Sequence, residues 1–363
     1  MRTRTTTSQP RTLRSLFVAD SRPLTVARFA LCAVIAVLGL RAAAVTAPMR
    51  WQAAVYLFGM VAMNLLHGGY EHVSNLRQRG LSFQSRYLAL YLGGIAVFVG
   101  LFLTAPVAGL TLACGVAVAK GGHGGLHAMD ATTGTGHLRT RPQRALAAAV
   151  RGGAAMVVPV FALPDTFLAF SSLMVGIFDP GALAPYTAHV QTTRLLAGGG
   201  FALAAVTHLG LGFRRRDGSG SWAADAVDTL LLSGYFLVVP VVVAVGVYFP
   251  AWYTARQVAR EVEIDGRESR HDSERVEADI LGFLGADDNR IVTLGAWGVL
   301  VVGSVATVAL ATPVYTLSPN PLGVAPPLVG AVAFWSVFVS IITLPHVVVG
   351  SWLDQDGGIW YVP

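Results

Sequence analysis

Apolar runs of membrane length recur along the chain, separated by short polar stretches. They fall at 28–47, 52–70, 87–105, 107–122, 147–170, 195–213, 226–250, 291–312 and 327–350. Crossing a hydrocarbon layer takes about 20 apolar residues as a helix, which bonds its own backbone groups internally. The pattern therefore predicts an all-α, polytopic integral membrane protein with about seven to nine transmembrane helices. Pro159, Pro164 and Pro240 lie inside these runs and predict kinks or breaks, because proline removes a backbone donor and clashes with the preceding turn. The stretches "AGGGFALAA" and "RGGAAM" read as faces where helix backbones approach closely. The organisation expected is a basic tail over 1–27, a single membrane domain over 28–356 with a charged extramembrane segment at about 254–288, and a tail over 357–363.

Composition agrees with that pattern. Only 13% of the 363 residues are charged, against about 25% in soluble domains, and the mean hydropathy is +0.58. The formal net charge of +6 carries no nucleic-acid signature, since the arginines sit in the tail and in short loops. Arg77, Arg79 and Arg86, then Arg139, Arg141 and Arg144, then Arg214, Arg215 and Arg216 follow alternate spans. With the N-terminus inside, all three groups fall on the cytoplasmic side, as the positive-inside rule requires. A multi-pass location in the cell membrane is expected, without a cleaved signal peptide. Cys32 and Cys114 lie in apolar runs and read as small buried hydrophobes.

Ionisable groups at membrane depth are expensive, and each is a candidate for function. His67, Glu71 and His72 close the second run, Lys120, His123 and His127 the fourth, and Tyr253, Arg256, Gln257 and Arg260 the seventh; His346 sits late in the ninth. His67 and His72 are five residues apart, about 140° on a helix, so they do not share a face. Tyr253 and Gln257 are four apart and do share one. That spacing suits two metal-binding histidines, but a phenol and an amide stand here. His208 reads as a packing histidine, and His346 as a partner for a carbonyl freed by Pro345. His137, His189 and His271 read as solvated or interfacial.

Taken together, "HGGYEH", "KGGHGGLHAMDA", the arginine-rich "LRTRPQRALAAAVRGGAAMVVPVFALPDTF", "VVPVVVAVGVYFPAWYTARQVAR" and "LPHVVVGSWLD" resemble, in order, the motifs of the bacterioopsin-related (Brp/Blh) family of membrane β-carotene 15,15′-dioxygenases. The resemblance runs from about residue 55 to 356. It implies an oxidoreductase that uses Fe(II), held by four histidines, and O₂ to cleave β-carotene to two retinal molecules. Its first ligand falls on His67. The other three fall on Lys120, Tyr253 and Gln257, and an aspartate of the second motif falls on Gly125. Gly68, Trp252, Arg256, Pro345, His346 and Asp354 match the motifs. His123 and His72 are possible substitute ligands, with His127 beside them.

The resemblance thus implies a dioxygenase with an altered iron site. The alternative is a non-catalytic relative, a pseudoenzyme that binds carotenoid or retinal or assists a retinal-binding membrane protein. Lys120 is the only lysine among 26 basic residues. A snorkelling role would suit arginine equally, whereas an amine can also form a Schiff base with retinal. One conflict remains in the sequence: alternating spans put His67 and Lys120 on one side of the membrane, and Tyr253 and His346 on the other.

Overall fold

The protein is described from a computed structural model, over residues 22–42, 48–63, 81–216, 218, 220–256, 259, 289–323 and 325–353. These residues are helical with no strand among them. In chain order the helices are α1 (Arg22–Ala42), α2 (Met49–Leu57), α3 (Leu81–Thr104), α4 (Pro106–Thr132), α5 (Arg141–Met156) and α6 (Val158–Ala162). They continue as α7 (Pro164–Gly176), α8 (Val190–Arg214), α9 (Ser221–Val238), α10 (Val241–Tyr248), α11 (Asn289–Leu317) and α12 (Pro327–Leu353).

Prolines set many of these boundaries. Pro106, Pro164 and Pro327 open α4, α7 and α12, in the first turn where the missing N–H is not needed. The apolar run at 147–170 is not one span. Its prolines divide it among α5, α6 and α7, with the chain turning at Val157 and Leu163. Pro240 likewise separates α9 from α10. Pro345 stays inside α12, pressed against the bare backbone of Gly94 on α3.

Among the described residues, three helical segments are long and apolar enough to cross a membrane: Ser85–Thr104, Ala184–Arg214 and Pro327–Pro345. Shorter apolar helices cover Leu24–Leu38, Val241–Thr254 and Val301–Leu317. Large apolar side chains point outward along them, among them Leu195, Leu196, Leu203 and Val206 on α8 and Val301, Val302 and Val305 on α11. Such a belt is stable only against an apolar surrounding. The two arginine-bearing ends that the sequence puts on one side do meet: Arg139 donates to the carbonyl of Arg215 (3.3 Å), and Arg215 to Gln143 Oε1 (2.9 Å).

Close backbone packing joins the central helices. A side chain at Gly122 would run into the backbone of Ala148, and one at Gly152 into that of Val118, so α4 and α5 touch through glycine. Gly59 and Gly246 make the same kind of contact between α2 and α10. Both of these helices widen into π-helical turns, at Phe58–Met63 and Phe249–Thr254, and the two turns pack together. Such turns free carbonyls and are frequent at functional sites. One of those carbonyls, Met60 O, accepts from Trp335 Nε1 at 3.1 Å.

Candidate functional site

The π-helical turns border a cavity of about 230 Å³. It is lined mainly by α4, α7, α10 and α12 and the two π-helical turns, with one or two residues each from α2, α3, α5, α6 and α11. Its wall is mainly apolar and aromatic: Leu110, Ala113, Val116, Phe167, Phe170, Val245, Phe249 and Trp335. Polar groups are few. Tyr56 and Ser336 hydrogen-bond each other across α2 and α12, and Ser336 also donates to Val332 O at 2.7 Å. Lys120, Tyr248 and Tyr253 contribute to the same lining, and no carboxylate does so among the described residues.

Lys120 and Tyr253 come together here. The Lys120 ammonium stands 5.9 Å from the centre of the Tyr253 ring. The residues at two of the expected ligand positions therefore share one cavity, which strict alternation of nine spans does not allow. The stretch at 147–170, which the sequence reads as one span, is instead divided at its prolines among α5, α6 and α7.

The other histidines of the second motif lie elsewhere. His123 is exposed, and its Nδ1 donates to Ala119 O at 3.0 Å. His127 Nδ1 lies 3.8 Å from Asp130 Oδ2, and Asp130 in turn is held by Arg144. Neither histidine lines the cavity. Among the described residues, no group of three histidine, cysteine or acidic side chains is placed to hold a metal ion. His67, Gly68, His72, Gln257 and Asp354 lie outside the described residues. His346 follows Pro345 on α12.

Behind Lys120 and Tyr253 lies a cluster of buried charges. Asp225 on α9 accepts from Arg151 Nη2 (2.5 Å), His137 Nε2 (2.8 Å) and Thr229 Oγ1 (3.4 Å). His208 Nε2 is 3.1 Å from the same carboxylate. One turn further, Asp228 pairs with Arg28 Nε at 2.9 Å and Arg256 Nη1 at 2.7 Å. The Arg256 guanidinium also rests 4.9 Å from the centre of the Trp252 ring. Trp252 and Arg256, both motif residues, thus lock the end of α10 to α9 and α1, and so fix the π-helical turn that carries Tyr253. A void of about 10 Å³ separates the cluster from the cavity, lined by Gly121, Gly125, Arg151, Tyr248, Tyr253 and Arg256 among others.

Several sequence expectations change here. His137 is fully buried between Ser221 and Asp225 rather than solvated in its basic loop. Arg28, at the first position of the first apolar run, is buried in an ion pair with Asp228. Sequence reasoning does not find Asp225, Asp228 and Arg151 as a group. The available signal is the pair of acids three residues apart at the start of the apolar "AADAVDTLLL", which places both on one helix face.

Comparison with known proteins agrees with the geometry. A family model described as beta-carotene 15,15′-dioxygenase matches residues 58–354. In two strains of Halobacterium salinarum, a relative named "Probable beta-carotene 15,15′-dioxygenase Brp" is 57% identical over 349 residues, covering 95% of this chain and 96% of the relative. A second relative from the same species, "Probable beta-carotene 15,15′-dioxygenase Blh", is 32% identical over 305 residues, 82% of this chain and 83% of that protein. No solved structure matches significantly. The matched range begins at the first π-helical turn and takes in the cavity lining apart from Tyr56 and the charge cluster apart from Arg28, and the chain belongs to the Brp/Blh family of β-carotene 15,15′-dioxygenases.

Proposed function

We propose that this chain is a multi-pass protein of the cell membrane, with seven to nine spans in one membrane domain, that holds β-carotene or retinal in the cavity around Lys120 and Tyr253. In this reading it is a polyene-binding member of its family and serves retinal formation without iron chemistry of its own, as an accessory to the supply of retinal-binding membrane proteins. One observation carries the reading: at the polar end of an apolar cavity, two of the positions that would carry iron-binding histidines hold an ammonium and a phenol side by side.

The donor set does not suit iron. A protonated lysine offers no lone pair and repels a cation, and a lone phenol beside it is a poor substitute for paired imidazoles. The remaining wall suits a long apolar ligand, which gains about 25 cal/mol for each Å² removed from water. Tyr56 and Ser336, bonded to one another, close part of the polar surface that would otherwise be costly beside a hydrocarbon.

The test is expression in a bacterial host that makes β-carotene, beside an active family member. The purified protein is extracted for polyenes by chromatography and assayed for iron. Co-purifying β-carotene or retinal without stoichiometric iron, and without retinal accumulating above the empty host, is the expected result. Retinal production together with stoichiometric iron would overturn the reading in favour of an enzyme with a rebuilt metal site, in which His67, His72 and His123 are the residues to examine.

A further inference from the structure

We infer that Lys120 is a covalent attachment site for a polyene aldehyde of the retinal class, held as a Schiff base inside the cavity. The inference rests on the polyene-binding reading and adds a chemical step to it.

Three observations lead there. Every other basic side chain in this protein, histidines aside, is arginine, so the position that keeps lysine is one where a guanidinium does not serve. The two groups differ in charge delocalisation and in hydrogen-bond geometry, but the chemical difference is that an amine is a nucleophile toward carbonyl carbon. Second, Lys120 is half-buried rather than fully exposed. It lines the cavity, one residue before Gly121, whose open side faces the Tyr248 hydroxyl. Third, the lining offers no carboxylate among the described residues. Among the described residues the nitrogen is therefore not held in a salt bridge within the wall.

The step balances without any oxidant or metal. The ammonium first gives up a proton to solvent; the Nζ lone pair of the neutral amine then attacks the aldehyde carbon, and a proton passes from nitrogen to the former carbonyl oxygen to give a carbinolamine. Loss of water then forms the carbon–nitrogen double bond. Hydrolysis reverses the sequence and releases the aldehyde. Cleavage of β-carotene at the 15,15′ bond, the reaction in the relatives' names, generates aldehydes of this class. The site can thus hold such a product after a catalytically competent relative has made it.

The experiment uses the full-length protein in detergent or nanodiscs with added all-trans-retinal. Binding is read by quenching of tryptophan fluorescence, since Trp335 lines the cavity. Attachment is read by borohydride reduction followed by peptide mass mapping. With one lysine in the chain, a reduced adduct must lie on Lys120 or on the N-terminal amine, and mapping separates them. The expected result is quenching together with an adduct on Lys120 in the natural chain, and no adduct at position 120 in Lys120→Arg or Lys120→Met. Quenching without an adduct on Lys120, or with an adduct only on the N-terminal amine, overturns the attachment and leaves the polyene reading standing. No quenching by retinal or by β-carotene overturns both. The wild-type map decides the matter even if a variant fails to fold.

Discussion

Two polar regions lie back to back in this protein, and they handle charge in opposite ways. Around Asp225 and Asp228, three arginines and two histidines converge on two carboxylates, from α1, α5, α8, the turn after α10 and the α4–α5 connection. Around Lys120, a single cation stands among apolar walls, with a tyrosine ring as its close neighbour and no acid in the lining among the described residues. The first arrangement is closed: each acid is held by buried arginine or histidine partners from several helices. The second is open, and whatever enters the cavity meets the amine. Ionisable residues at membrane depth thus divide into a frame that fixes helices and a site that meets ligands, and partnership decides which is which.

The largest expected effect comes from breaking the frame. Asp228→Leu removes the carboxylate that pairs with both Arg28 and Arg256, and removal of one member of a buried ion pair costs about 3–5 kcal/mol. Expression yield and thermal unfolding in detergent should collapse, and Asp225→Leu should do the same through Arg151. The glycine contact between α4 and α5 comes next. Gly122→Ala or Gly152→Ala drives a methyl group into facing backbone and should cost about 1–3 kcal/mol, as overpacking does. Lys120→Met, on the open side, removes charge but keeps volume and should change stability by less than about 1.5 kcal/mol. If Lys120→Met unfolds the protein as Asp228→Leu does, the distinction between frame and site fails.

The smallest effect sharpens the boundary between the regions. Arg151 Nε and Arg256 Nε and Nη2 have no hydrogen-bond partner among the described residues, and both arginines border the small void beside Gly125. A Cβ added at Gly125 would stand 3.9 Å from Arg151 Cδ and Nη1, an ordinary contact. Gly125→Asp should therefore raise the unfolding midpoint, by up to about 1 kcal/mol of stability, from one new charged hydrogen bond and the loss of a helical glycine. Gly125→Ala gains only the helix-propensity part.

How much of the molecule is legible in its sequence follows from the range of the interactions involved. Helix breaks at Pro159, Pro164 and Pro240 are local consequences of proline and can be read directly. The meeting of Lys120 with Tyr253 is legible through ordered motifs, and it contradicts the alternation of nine spans. The motifs are the better guide, because a span count assumes that each apolar run crosses as one helix, and 147–170 does not. The charge cluster is hidden for a different reason. Arg28 and Asp228 are 200 residues apart, and hydropathy shows that a charge is present but not what neutralises it. His137 is misjudged because its sequence neighbours, "GTGHLRTR", are polar, while its burial comes from Ser221 and Asp225 across the fold.

The most direct measurement of the central claim, that the cavity is intact and its metal chemistry is missing, compares the natural chain with the triple variant Lys120→His, Tyr253→His, Gln257→His. Both are purified from a β-carotene-making host and assayed for iron per chain and for retinal. The account predicts stoichiometric iron and retinal from the triple variant alone, with the natural chain carrying polyene but neither iron nor cleavage. Iron and retinal from the natural chain, reduced or abolished in the triple variant, would contradict it.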